Sequence, residues 1–303
     1  MRRIICSFAF RFCISSVPNQ SHIPLYSESR DGKSAGYVSV ILRDSRRQKT
    51  IFVLGSLALR SGVLPWDMSS SVAPNQHPNR LIAALPLGMQ HAFVSKMELV
   101  LLRKQQIIYE QGEPITHIYF PCSAVISLMM MMENGSGVEV ATIGNDGFLG
   151  VPRYFGEGFA FARGIVQIPG ESRRMRSDLF VQELEGNENL RERLRRYAGA
   201  QLAQLARTAG CNRLHAAEQR CARWLLMVHD RTDAKEFPLT KEMLADMLGV
   251  SRTSASLVLQ SLEQQAMVRV TRGKITILDR GRLRSAACEC YQIGKETVDR
   301  LLS

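Results

Sequence analysis

KEMLADMLGVSRTSASLVLQSL, residues Lys241–Leu262, is the stretch on which the reading of this chain turns. Thr240 suits the cap of a helix over 241–248, because its side-chain oxygen can accept an orphan backbone N–H of the first turn. Gly249 follows, and glycine takes the left-handed backbone of a tight turn without steric cost. Ser251 then caps a second helix. Leu244, Leu248, Val250, Ala255 and Val258 fall where two crossing helices must be apolar, and Ala245 falls where they approach too closely for a larger side chain. Two short helices joined in this way form a helix-turn-helix.

The second helix turns Arg252, Thr253, Ser256, Leu257 and Gln260 outward. Such a helix fits the major groove of DNA, where arginine donates in pairs to guanine and glutamine pairs with adenine. These five residues are therefore the candidates for base readout. Thr240, Lys241, Ser251, Arg272 and Lys274 are the candidates for phosphate contacts. Arg272 and Lys274 sit at the tip of MVRVTRGKITIL (267–278), an alternating stretch that reads as a hairpin wing.

Charge agrees with a polyanionic partner. The 303 residues carry 39 Lys+Arg against 28 Asp+Glu, a formal net charge of +11. Apolar residues make up 45% and charged residues 22%, an ordinary globular mixture for a chain with room for about two domains. The longest uncharged apolar run, Ile51–Leu59, is too short to cross a bilayer, so no membrane partner is expected. Seven cysteines stand at 6, 13, 122, 211, 221, 288 and 290, with no Cys-x-x-Cys pair. Neither a disulfide framework nor a metal site is expected from that spacing, and a reducing compartment, the cytoplasm, is. Cys288 and Cys290, two apart on an expected C-terminal helix, should face different sides. There is no Gly-x-Ser-x-Gly, P-loop or His-Glu-x-x-His, which argues against an enzyme built on the middle of the chain.

Residues 1–67 differ from the rest. They hold ten Lys/Arg and four Asp/Glu, Ser-rich patches and no sustained period, while twelve of the thirteen methionines lie in 68–303. The expectation is that translation starts at Met68, with 1–67 an over-extended or disordered leader, and that a helical pattern opens at Asn79.

From Glu98 onward, short apolar runs alternate with Gly-Glu-Pro, Asn-Gly-Ser-Gly and Gly-Asn-Asp-Gly, the punctuation of several short antiparallel strands. ENGSG (133–137) reads as a hairpin turn, and Met129–Met132 as a strand packed on both faces. Phe155, Phe159 and Phe161, among glycines, suggest a loop folded over the sheet. SDLFVQELEG (177–186), with Ser177 as candidate cap, reads as a short helix.

EQGEPITHIYFPCSAVISLM (110–129), followed by VEVATIGNDGFLGVP (138–152), resembles the sensory β-roll of the Crp/Fnr family of bacterial transcription regulators. The resemblance covers about 78–290 and implies an α+β fold. It comprises an N-terminal antiparallel β-roll, jelly-roll-like, then a long dimerisation helix and a C-terminal winged helix-turn-helix. The corresponding boundaries are 68–186, 187–212 and 213–303. It further implies a homodimer on an inverted-repeat operator, with RNA polymerase as partner.

Cyclic-nucleotide-binding members of that family hold ribose with Gly-Glu and the phosphate with Arg-Ser or Arg-Thr. Here Gly150 is followed by Val151, and Arg163 by Gly164. A cyclic nucleotide is therefore not expected, no cofactor is identified, and Phe148, Gly150, Val151 and Arg163 mark a pocket for another effector. A cyclic-nucleotide-responsive regulator of the same architecture stays open as the alternative.

NENLRERLRRYAGAQLAQLARTA (187–209) places Leu190, Leu194, Tyr197, Leu202 and Leu205 at helical steps between charges. The residues fit a helix packed on its own domain. The family resemblance implies that the same five form a dimer seam. In LHAAEQRCARWLLMVHDR (214–231), Ala217, Cys221, Trp224, Leu225 and Val228 form one apolar stripe, with His215 and His229 as surface or capping residues.

Overall fold

A computed structural model of the chain describes residues 77–232 and 234–302. The expected leader 1–67 and the start at Met68 lie outside the described residues. Helices α1 (Arg80–Ala83) and α2 (Leu87–Val94) open the fold, and the Asn79 side chain caps α1 by accepting from Ile82 N. Strands β1 (Glu98–Leu102), β2 (Ile107–Tyr109), β3 (His117–Pro121), β4 (Val125–Met131) and β5 (Gly137–Ile143) follow. After a short helix α3 (Val151–Tyr154) come β6 (Arg163–Ile168) and β7 (Gly170–Arg176). They make two antiparallel sheets, ordered β1-β7-β3 and β2-β6-β4-β5, so the expected β-roll is present. The β4–β5 hairpin closes at ENGSG, with Ile126 opposite Ile143 and Met131 opposite Gly137.

Helix α4 (Ser177–Gly186) begins at Ser177 itself, and its cap position is Arg176, one residue earlier than expected. The long helix α5 (Glu188–Leu214) is capped by Asn187, whose side chain accepts from Leu190 N. Helix α6 (Ala217–Thr232), strand β8 (Glu236–Pro238), helices α7 (Lys241–Leu248) and α8 (Arg252–Gln264), and strands β9 (Val268–Thr271) and β10 (Lys274–Ile277) build a winged unit. Its sheet is ordered β8-β10-β9. Helices α9 (Arg280–Ala286) and α10 (Cys290–Leu302) complete the chain, with α10 packed back along α5.

Two cores share the four-stranded sheet. On β4 the side chains alternate, as strand geometry requires. Ile126 and Leu128 enter the core between the two sheets, and Val125 and Met129 enter the core of the winged unit. Both faces of β4 are thus dry from Val125 to Met129, which explains a run of apolar residues too continuous for a half-solvated strand, whereas Met130 and Met131 are half-buried and Met132, expected in the same buried strand, is exposed beyond its end. Helix α6 lies against β4 on one side and the winged unit on the other, so it buries residues all round its axis, Cys221 to Leu226 and Val228 among them.

Three expectations are corrected by this packing. Leu190, Leu194 and Tyr197 do not face a partner chain, since all three are buried in the core of their own β-roll. The Tyr197 ring lies 4.9 Å from that of Phe148, and Gly147 has no room for a Cβ beside it. Leu205 is half-buried against the same core, and only Leu202 of the five points to solvent. Phe155, Phe159 and Phe161 do lie in a loop, yet their rings are exposed rather than laid on the sheet. Cys288 and Cys290 do not face different sides, because the chain turns between them instead of running as one helix.

A polar network is enclosed where the sheet meets the winged unit. The Glu139 carboxylate, on β5, accepts from Trp224 Nε1 at 2.8 Å, from Ser127 Oγ at 3.3 Å and from the Thr142 hydroxyl. Nearby, Asp146 and Arg231 form a buried two-point ion pair at 2.9 and 3.0 Å. Burial raises the Glu139 pKa, and the hydrogen bonds from Thr142, Trp224 and Ser127 and the charge of Arg223 only partly offset it.

Leu194 is 1% exposed, so Leu194→Ala should cost about 2–5 kcal/mol, read from chemical unfolding. Leu194→Glu should prevent folding instead of yielding a folded monomer. The Glu139 pKa is raised on folding, so its contribution is favourable while the group is protonated and is lost as pH rises through the folded value. Glu139→Gln keeps an acceptor for Trp224 and cannot ionise. The variant should therefore be more stable than the parent at pH 8, with the difference shrinking toward pH 5. Unfolding midpoints across that range check it, and a parent that is the more stable at pH 8 would contradict the assignment.

Candidate nucleic-acid interface

The α7–α8 pair is held by local chemistry that the sequence prescribes. Thr240 accepts from Met243 N at 3.2 Å, and Ser251 accepts from Ser254 N at 3.1 Å. Gly249 has the left-handed backbone (φ 60°, ψ 43°), and a Cβ there would lie 2.9 Å from Val138 Cγ2 on β5. The turn thus needs glycine twice, for its torsion and for its approach to the sheet. Leu244, Leu248, Ala255, Leu259 and Leu262 are buried, with Val250 and Val258 packed at the margin of the same core.

With that side anchored, the other side of α8 is free. The Arg252 side chain is 74% exposed and Leu257 is 61% exposed, with Thr253 and Gln260 exposed beside them. Ser256 is half-buried, so it has less reach than the other four. Glu242, on the first turn of α7, approaches Arg252 at 3.8 Å, a contact that sequence spacing alone does not suggest. Lys241 is exposed at the start of α7. At the wing, Gly273 has φ 74° and lets Arg272 and Lys274 project from a tight turn. Lys274 is already paired with Glu236 at 2.7 Å, whereas Arg272 makes no ion pair with the described residues. Arg269, exposed on β9, adds a cation that was not singled out from the sequence.

The expected effector pocket is very small. Gly150 and Val151 line a cavity of about 10 Å³ with Tyr109, Leu149 and Ala162, room for about one water. Phe148 is not at its wall but fully buried, its ring 5.4 Å from that of Phe120. Arg163 lies outside it, paired with Glu110 at 2.6 Å. A roomier cavity of about 70 Å³ sits between α5, α6 and α10, lined by Gln201, Arg207, Asp230 and Tyr291 among others.

The comparisons agree with this geometry. Residues 219–286 match the model of the Crp-like helix-turn-helix domain. No curated protein matches the chain. Among solved structures, the chain is similar to FixK2 from Bradyrhizobium japonicum at 16% identity and a TM-score of 0.54, over 63% of this chain and 98% of that one. The c-di-GMP-responsive global regulator CLP from Xanthomonas campestris aligns at 14% identity and a TM-score of 0.52, over 64% and 100%. A CRP-family transcriptional regulator from Thermus thermophilus aligns at 16% and 0.52, over 62% and 96%. At these identities the likeness is one of fold.

The exposure of Arg252 predicts that Arg252→Ala costs about 1–3 kcal/mol per half-site and relaxes preference at one base pair. Arg272→Ala should weaken binding to all sequences alike and lower the salt slope by about 1, because a phosphate contact carries no base information. Lys274→Ala should do so less, since Glu236 already neutralises that ammonium. Binding selections over a range of salt distinguish the three, and a uniform loss for Arg252→Ala would remove it from base readout.

Proposed function

We propose that this chain, a DNA-binding transcription regulator of Crp/Fnr architecture, works as a homodimer on an inverted-repeat operator. The observation that carries the reading is the free face of α8. Arg252, Thr253, Leu257 and Gln260 stand exposed together on a helix whose opposite face is locked by Ala255, Leu259 and Leu262. In this reading residues 68–186 sense, 187–212 join two copies and 213–303 bind DNA. Arg252, Thr253, Ser256, Leu257 and Gln260 read bases, while Thr240, Lys241, Ser251, Arg272 and Lys274 meet phosphates. The protein works in the cytoplasm, engages RNA polymerase and is not an enzyme. Its effector is not a cyclic nucleotide. The small space beside Gly150 and Val151 and the engagement of Arg163 by Glu110 support that part.

The seam between copies is narrower than five residues. Gly199, Leu202, Ala206 and Ala209 form one exposed stripe on α5, at helical steps, with Leu202 66% exposed. Small residues beside one leucine allow two such helices to approach closely.

Selection from random duplexes should return an inverted repeat with half-sites about 34 Å apart, one helical turn. Leu202→Glu should give a folded monomer with weak operator affinity, because a buried unpaired charge in the seam is unfavourable by several kcal/mol. Sedimentation showing an unchanged dimer would reject the seam, and recovery of single, unpaired half-sites would reject the homodimer.

A further inference from the structure

Cys211, His215, Cys288 and Cys290 meet at the end of the long helix, with one ligand-type atom from each and all four atoms within 4.8 Å of one another. We propose that these four side chains bind a single zinc ion, one per chain. The inference stands independently of the DNA-binding reading, since it uses none of the residues of α8 or the wing.

Three of the six separations match the edges of a tetrahedral site, and the other three are at most 4.8 Å. Zinc bonds of about 2.3 Å to sulfur and about 2.0–2.1 Å to nitrogen set the edges of the tetrahedron at about 3.8 Å between sulfurs and about 3.5 Å between sulfur and nitrogen. Cys211 Sγ and Cys288 Sγ are 3.6 Å apart. His215 Nδ1 lies 3.4 Å from Cys211 Sγ and 3.7 Å from Cys290 Sγ. Three thiols and an imidazole nitrogen at these separations surround one ion, and a multi-iron cluster, whose ligands sit on separate irons, would hold them farther apart. Soft thiolate ligands in a tetrahedral set favour zinc among the common divalent metals.

The local fold brings the ligands together from two places. Cys211 and His215 are one turn apart at the end of α5, and His215 is the C-cap, with an extended backbone (φ −106°, ψ 147°). Cys288 lies in the link after α9, and Cys290 is the first residue of α10. The turn between them is closed by Tyr291 N donating to Cys288 O at 3.1 Å.

The surroundings suit a metal as well. His215 Nε2 is 3.1 Å from Glu289 Oε1, the carboxylate–histidine arrangement that fixes the tautomer with Nδ1 free for a metal. Three thiolates, a dication and a neutral imidazole leave one net negative charge. Buried Arg220 and Arg223 lie within electrostatic reach of Cys211, and the Nε of each has no acceptor among the described residues. With four protein ligands the site is closed, so the ion staples α5 to the α9–α10 corner and activates no water.

The test uses the full-length chain, purified without chelators under reducing conditions. Elemental analysis should find about one zinc per chain, and X-ray absorption should show three sulfurs near 2.3 Å and one nitrogen. Cobalt(II) exchanged into the chain should give the ligand-field bands of a tetrahedral thiolate site, a readout that needs no variant. Cys288→Ser and His215→Ala should each lose the zinc, Cys122→Ala, just after β3 and not among the four ligands, should keep it, and chelation should lower the melting temperature. Absence of zinc both as isolated and after reconstitution with zinc would overturn the proposal. So would retention of zinc by both ligand variants, or a Cys211–Cys288 disulfide in the reduced preparation.

Discussion

The contact on which the rest of the structure depends is the one between β4–β5 and helix α6. The outward face of the four-stranded sheet would be wet in an isolated β-roll. Here Trp224, Leu225 and Val228 join a core that also takes in Val125, Met129 and Ile168 from the sheet. Dry packing strengthens the polar contacts inside it, because fewer waters screen them. It also makes an unpaired group costly, which is why Glu139 collects three donors, and why Arg231 gives Nε and Nη2 to Asp146 and Nη1 to Met227 O. The four-stranded sheet and the winged unit are consequently coupled through side chains that cannot be exposed singly without loss.

What was legible in the sequence is what local chemistry prescribes. The two caps and the glycine of 240–251 fall as the residues demand, because each satisfies a backbone need within a few positions. The hairpin turns and the paired strands of the β-roll were legible for the same reason. The apolar steps on α5 were visible too, but periodicity says that a face is buried and not what covers it. Leu190, Leu194 and Tyr197 are covered by Phe148, Phe180 and their neighbours in the same chain, and so are unavailable to any seam between copies. The phenylalanines at 155, 159 and 161 show the converse, since apolar type alone did not place them in a core.

The cysteine–histidine cluster was illegible for a different reason. Its halves, Cys-x-x-x-His on α5 and Cys-x-Cys before α10, match no familiar ligand spacing when each is read alone. They meet because α10 folds back along α5, where Arg193 donates to Leu301 O at 3.3 Å and Leu301 enters the first core. Long-range return of the C-terminal helix is a tertiary event with no local signature. The signal that remained in the sequence was a histidine one helical turn after a cysteine at a helix end, which by itself is more often a cap.

Under the proposed function, the arrangement bears on how a signal in the sheet would reach DNA. The sheet touches the winged unit at α6 and at the Gly249 turn, where Val138 leaves no room for a Cβ. It does not cover Arg252, Leu257 or Gln260, all of which stay exposed while the two units are packed together. The sheet therefore does not mask the exposed face of α8 in this arrangement. What the sheet can set is the position of α6, through Glu139 with Trp224 and Asp146 with Arg231, and with it α7 and α8, packed against α6 in one body. In a dimer, two such bodies must match one turn of DNA, so a small rotation about the end of α5 changes affinity without altering any contact within a half-site. In the proposed homodimer, control by spacing would need a stiff joint at that point, which is where Cys211, His215, Cys288 and Cys290 come together.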